Sequence, residues 1–102
     1  MADSYIEKIV KKILEVAHPE QIILFGSRAL NSSMVSSDYD ILVIEGHVHR
    51  RNLAKEIYRS MVGFEHPVDI VVVHPEDVER NKDNPYSVIS DAIKDGKLLY
   101  AR

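Results

Sequence analysis

Residues 37–45 read Ser37-Asp38-Tyr39-Asp40-Ile41-Leu42-Val43-Ile44-Glu45, an alternation of acidic and apolar side chains that runs into four consecutive aliphatics. A run of that kind suits a central strand buried on both faces, with its first residues emerging at the rim of a sheet. Gly46 closes it. On an extended strand residues i and i+2 share a face, so Asp38 and Asp40 project together while Tyr39 and Ile41 point the other way.

Upstream, residues 21–25 form a short apolar run that reads as a buried strand, and Gly26 ends it. Before it, Ile6, Ile9, Val10, Ile13, Leu14 and Ala17 recur at helical spacing, and Ser4 with Glu7 has a capping-box pattern, which predicts an amphipathic helix over 4–17. His18-Pro19 stops that helix, because the residue before a proline is pushed out of the α region. Residues 27–37, rich in serine and containing Asn31, predict one short helical turn and then a loop.

Downstream, Leu53, Ala54, Ile57, Met61 and Val62 line one side of a half-buried helix over 49–62, with Gly63 as its C′ residue. Residues 68–73 form a third strand between Pro67 and Pro75, β-branched enough to predict burial on both faces, with Asp69 as the exception. A short acidic turn is expected after Pro75. Asn84 and Pro85 then fit the cap and first position of a helix over 86–95, Gly96 ends it, and 97–100 reads as a last edge strand. The fold class is α/β (α+β): one domain over 1–102, a small mixed β-sheet with flanking helices.

The bulk figures narrow the function. A chain of 102 residues, 45% hydrophobic and 28% charged, has the composition of a folded domain with one core, too small for a second domain with its own cleft. Any larger site is therefore expected to be shared with a partner. Thirteen basic against sixteen acidic residues, net −3, give no cationic field for DNA or anionic lipid. With no cysteine there is no disulfide, thiolate zinc site or thiol catalysis, and no apolar run approaches the ~20 residues of a membrane span. A cytoplasmic protein is expected; self-association is left open.

Asp38 and Asp40, roughly 7 Å apart along one strand face, leave room for hard divalent cations, the arrangement that two-metal phosphoryl chemistry uses with ions ~3.5–4 Å apart. Magnesium suits oxygen ligands and keeps waters that substrate phosphates can replace. A helix crossing over from the second strand to the third would lay the two parallel and bring Asp69 to the same rim, where it could complete the cluster and take a proton from an attacking hydroxyl. Gly26-Ser27, leaving a strand for a helical turn, would offer unpaired backbone N–H groups and a hydroxyl to a triphosphate. The first two strands should be antiparallel, placing that anion site beside the metal site.

Gly26-Ser27-Arg28-Ala29, Ser37-Asp38-Tyr39-Asp40-Ile41-Leu42-Val43 and Val68-Asp69-Ile70-Val71-Val72-Val73, in that order, resemble the signature of the polymerase-β-type nucleotidyltransferase superfamily, in particular its minimal branch of stand-alone domains. The resemblance spans nearly the whole chain. It implies transfer of a nucleoside monophosphate, usually AMP from ATP, with Asp38 and Asp40 as ligands of two Mg2+ ions, Asp69 as the third catalytic and metal-binding carboxylate, and Gly26 and Ser27 on the phosphates. It also implies a HEPN-domain partner, since such domains often neutralise a HEPN ribonuclease toxin, in some cases by adenylylating it. Leu30-Asn31 stands where the family frequently has Arg-Gly, leaving Arg28 to supply positive charge to the phosphates or to face solvent.

Plainer readings compete at each position. A Gly-Ser after a strand is usually only a turn, but Asp40 and Asp69, each followed by four aliphatics, are hard to explain as solvated surface. His47 and His49 have no third ligand at a telling spacing and read as loop residues; His74 ends its strand. Arg50 and Arg51 read as a solvated helix start, and Tyr39 as packing below the sheet, while Tyr58, Tyr86 and Tyr100 fit helix or strand packing. Three functions stay open: an enzyme, a binding module of the same fold that silences its partner by contact, and, third in order, a purely structural oligomer subunit that would bind no nucleotide.

Overall fold

A computed structural model describes residues 4–26 and 39–102. The elements are α1 (Ser4–Val16), β1 (Gln21–Phe25), β2 (Tyr39–Ile44), α2 (Arg50–Ser60), β3 (Val68–Val73), α3 (Pro75–Asn81), α4 (Val88–Asp95) and β4 (Lys97–Ala101). The four strands form one mixed sheet in the order β3-β2-β1-β4. β1 runs antiparallel to both β2 and β4, and β2 runs parallel to β3, the two being joined through α2.

Alternation along the strands builds two cores. Ile22, Leu24, Tyr39, Ile41, Val43, Ile70 and Val72 meet Ile9 and Ile13 of α1 and Leu53 and Ile57 of α2 on one face. On the other face, Ile23, Phe25, Leu42, Ile44 and Val73 meet Ile89 and Ala92 of α4, with Val78 of α3 packed alongside. β2 has strand neighbours on both sides, so Ile41 to Ile44 are buried whichever way they point. Each fully buried aliphatic side chain contributes about 1.5–3 kcal/mol.

Gly96, the C-cap of α4, lets that helix end run against β1: a methyl group there would collide with the Ala92 carbonyl and Ile23 Cγ2 and lie 3.0 Å from the Leu24 carbonyl oxygen. A residue with a side chain would push the helix off the strand.

The structure departs from the sequence reading in several places, among them Val62, which lies past the end of α2 and is 85% exposed rather than on its buried side. The segment after Pro75 is a helix, α3, not an acidic turn. Pro75 occupies its first turn, the Asp77 carboxylate accepts the His74 N–H at 2.9 Å, and Glu76 and Asp77 face the helix dipole favourably. Asn84 does not cap the last helix: its side chain accepts from the Tyr86 N–H at 3.1 Å and closes a turn, and Ser87 caps α4 by accepting from the Ile89 N–H at 3.2 Å. Tyr86 does not pack but is 96% exposed. β3 lies at the sheet edge, so Ile70, Val72 and Val73 are buried while Val68 and Val71 are only half-buried.

Candidate active site

The β-ladders set three residues in one row across the sheet: Phe25 of β1 is the register partner of Asp40, and Asp40 is the register partner of Asp69. Tyr39 and Ile41 belong to the core beneath α1 and α2, whereas Leu42 and Ile44 belong to the opposite core. Asp40 alternates with the first pair and so stands on the second face. In parallel strands register partners project to the same side, which puts Asp69 beside it, with the backbones ~4.8 Å apart.

The acids occupy the first rows of β2 and β3, and α3 covers the far end of that face, where Pro75 and Val78 adjoin Ile44. Asp40 is half-buried and Asp69 exposed. Both lie at the end where β1 finishes at Phe25 and Gly26.

Gly26 lies directly against Asp40. Its φ of +78° lies in the left-handed region, and a methyl group placed on it would run into Asp40 Oδ2 and stand 3.3 Å from Asp40 Cγ. Only a glycine lets the β1 end turn while the Asp40 carboxylate rests against its backbone. The antiparallel β1–β2 and parallel β2–β3 pairings expected from the sequence are both present, and they produce this convergence.

Ser27, Arg28 and Asp38 lie outside the described residues. Among the described residues no group of three or more histidines, aspartates or glutamates could hold a metal ion, and the described carboxylates at this rim are the Asp40–Asp69 pair. Two carboxylates together with substrate phosphates suit Mg2+, which retains part of its water shell.

Other polar residues have structural tasks. His49 caps α2, its Nδ1 accepting from the Asn52 N–H at 3.3 Å, and the His74 ring bonds the Val48 carbonyl at 2.7 Å. Glu45, 8% exposed, accepts the His18 N–H at 2.8 Å and secures the chain between α1 and β1. Arg50, read from sequence as solvated, makes a two-pronged ion pair with Asp77 at 2.9 and 3.1 Å. That guanidinium, with the His74 N–H, holds the Asp77 carboxyl below the usual carboxylate range. Tyr39, 3% exposed, packs on the core side as expected. Sequence reading missed the hydroxyls of Tyr5 and Tyr58, whose partners lie 61 and 12 residues away, where no local pattern reaches.

Solved structures share the architecture. A toxin–antitoxin complex crystallised with AMP-PNP superposes with a TM-score of 0.69 at 21% identity, covering 95% of this chain and 73% of that one. The toxin–antitoxin MntA-HpeT, in a mutant with two aspartate-to-glutamate changes two residues apart, gives 0.66 at 19% identity with the same coverage. A Sulfolobus solfataricus protein proposed to be a nucleotidyltransferase gives 0.63 at 22% identity, covering all of this chain and 91% of that one. No curated protein matches the chain. The sequence model of the family described as "Polymerase beta, Nucleotidyltransferase" matches residues 7–102, and the chain belongs to that family.

Proposed function

We propose that this nucleotidyltransferase moves AMP from ATP to a macromolecular acceptor, a HEPN-type toxin partner, and thereby acts as the antitoxin of a pair. The observation that carries the reading is the row formed by Asp40 and Asp69 in adjacent parallel strands, with the Gly26 backbone laid against the Asp40 carboxylate. Structural neighbours crystallised as toxin–antitoxin complexes, one of them with AMP-PNP, support the nucleotide and the partner. The neighbour altered at two aspartates two residues apart matches the spacing of Asp38 and Asp40.

In this reading Asp38, Asp40 and Asp69 would hold Mg2+, which would supply positive charge to offset the negative charge of the triphosphate and of the departing pyrophosphate. The Gly26-Ser27 turn grips the phosphates through backbone N–H groups and the serine hydroxyl, aided by Arg28. An acceptor hydroxyl attacks the α-phosphorus in line, a new P–O bond forms as the bond to the bridging oxygen breaks, and pyrophosphate leaves. Asp69, exposed on the edge strand, takes the proton from that hydroxyl. A macromolecular acceptor fits the exposure of Asp69, because the partner itself would complete the pocket.

Incubation with α-labelled ATP, Mg2+ and the toxin partner tests this. Label on the partner is expected, with its loss in Asp40→Asn and Asp69→Asn. Partner neutralisation that survives both substitutions, without label in the wild type, would establish the alternative reading of a non-catalytic binding module. The exposed apolar groove between α1 and β4, about 720 Å³ and lined by Ile6, Val10, Leu14, Leu98 and Leu99, is the feature that favours this alternative.

A further inference from the structure

Among the described residues, Asp69 stands on an edge strand bonded to a neighbouring strand on one side only, the situation in which a backbone is freest to shift or fray. Two tyrosine hydroxyls from two different helices hold the chain on either side of Asp69, one within that strand and one in the segment that leads into it. From α2, the Tyr58 hydroxyl accepts the Ile70 N–H at 2.9 Å. An amide has one hydrogen, so this N–H is turned away from β2 toward the open edge, and the residue directly after Asp69 is anchored there.

From α1, the Tyr5 hydroxyl accepts the His66 N–H at 2.9 Å and donates to the His66 carbonyl at 2.9 Å, securing both backbone groups of a residue three positions before Asp69. The next carbonyl, that of Pro67, accepts the Tyr39 N–H at 3.1 Å and ties the same segment to the residue preceding Asp40. The Tyr5 ring packs on Tyr39, Phe64 and His66 at centroid distances of 5.0, 5.3 and 5.1 Å, so its hydroxyl is itself held in place.

We propose that Tyr5 and Tyr58 are positioning residues, a pair of hydroxyl clamps that fix the backbone around Asp69 and hence the alignment of its carboxylate with that of Asp40. The proposal rests on the nucleotidyl-transfer reading of the rim. Displacement by ~1 Å in a reacting constellation can cost about 100-fold in rate, and a clamp on an edge strand acts on that scale.

Tyr5→Phe and Tyr58→Phe remove each hydroxyl and keep the ring. At 25 °C, kcat for AMP transfer is expected to fall at least ~10-fold in each while KM for ATP stays within about twofold, because the phosphates are held by the 26–27 turn. Melting temperatures should fall by no more than about 8 °C, leaving the variants folded at the assay temperature. Amide hydrogen exchange of the protein alone gives a readout free of catalysis: exchange at His66 should quicken at least ~10-fold in Tyr5→Phe and at Ile70 in Tyr58→Phe, with Ile23 and Leu42, paired across the β1–β2 ladder, unchanged. Variants that match an active wild type in kcat overturn the proposal and leave the transfer reading intact. A wild type that transfers nothing defeats the transfer reading instead; exchange then decides the clamps, and unchanged rates at His66 and Ile70 overturn them. Should one variant fail to fold, the other carries the same test.

Discussion

Replacing Gly26 with alanine separates two costs that the structure places on one atom. The first is conformational: a φ of +78° costs a residue with a β-carbon about 1–2 kcal/mol, which in a domain this small lowers the melting temperature by roughly 4–15 °C. The second is steric, since the new methyl group would occupy the place of Asp40 Oδ2 and force the carboxylate to rotate or retreat by ~1 Å. Gly63 supplies the control. Its φ is +94°, yet a β-carbon there would meet nothing within 4 Å, so Gly63→Ala carries the strain without the clash. Gly26→Ala should therefore lose at least as much stability as Gly63→Ala, and it alone loses about 100-fold in the proposed AMP transfer under Mg-ATP. Steady-state transfer assays and thermal melts, run side by side, read both effects. If Gly26→Ala transfers AMP within twofold of the rate of Gly63→Ala, the contact between this turn and Asp40 has no part in the chemistry and the site reading loses its main support.

Further outcomes follow from other contacts. Asp69 is exposed on the edge strand, so Asp69→Asn should leave the melting temperature within a few degrees while abolishing the proposed transfer; transfer that survives the substitution would contradict the reading of the rim. The Asp77 carboxyl is held below its ordinary range by Arg50, and a depressed folded value means stability that is present above about pH 4 and lost as pH falls through it. Asp77→Asn should accordingly flatten the acid side of the stability–pH curve and cost about 1 kcal/mol or less at pH 7, because the Arg50 side chain is half exposed; an unchanged acid limb in urea melts at pH 3 to 5 would refute the assignment. Ile57, 0% exposed where α2 meets the sheet, should lose about 2–5 kcal/mol on truncation to alanine, read from the shift of the urea midpoint at constant m.

The strands were legible in the sequence because a buried strand must be apolar where it is covered. Residues 21–25 and 68–73 match β1 and β3 end to end, and the run after Asp40 is the most buried part of the molecule. Capping was less legible. Ser87 rather than Asn84 starts α4, since either residue can bond a nearby N–H and only the path of the chain decides which is used. α3 was missed because its stability comes from its cap, its first-turn acids and an ion pair to Arg50, 27 residues away, and it has no buried residue to produce an apolar period.

For the candidate site, residue types and the order of three motifs single out Gly26, Ser27, Arg28, Asp38, Asp40 and Asp69 as candidates, and the family model matches residues 7–102, which contain them. Sequence alone also set the antiparallel and parallel senses of the strands, through the length and character of the segments that join them. Tertiary structure decided which atoms touch: the row of Phe25, Asp40 and Asp69, the carboxylate against Gly26, and the tyrosine hydroxyls on the edge of β3. Periodicity along a chain constrains only the direction in which a side chain leaves its own strand, whereas register and hydrogen bonding across elements depend on how several such strands and helices fill one volume together.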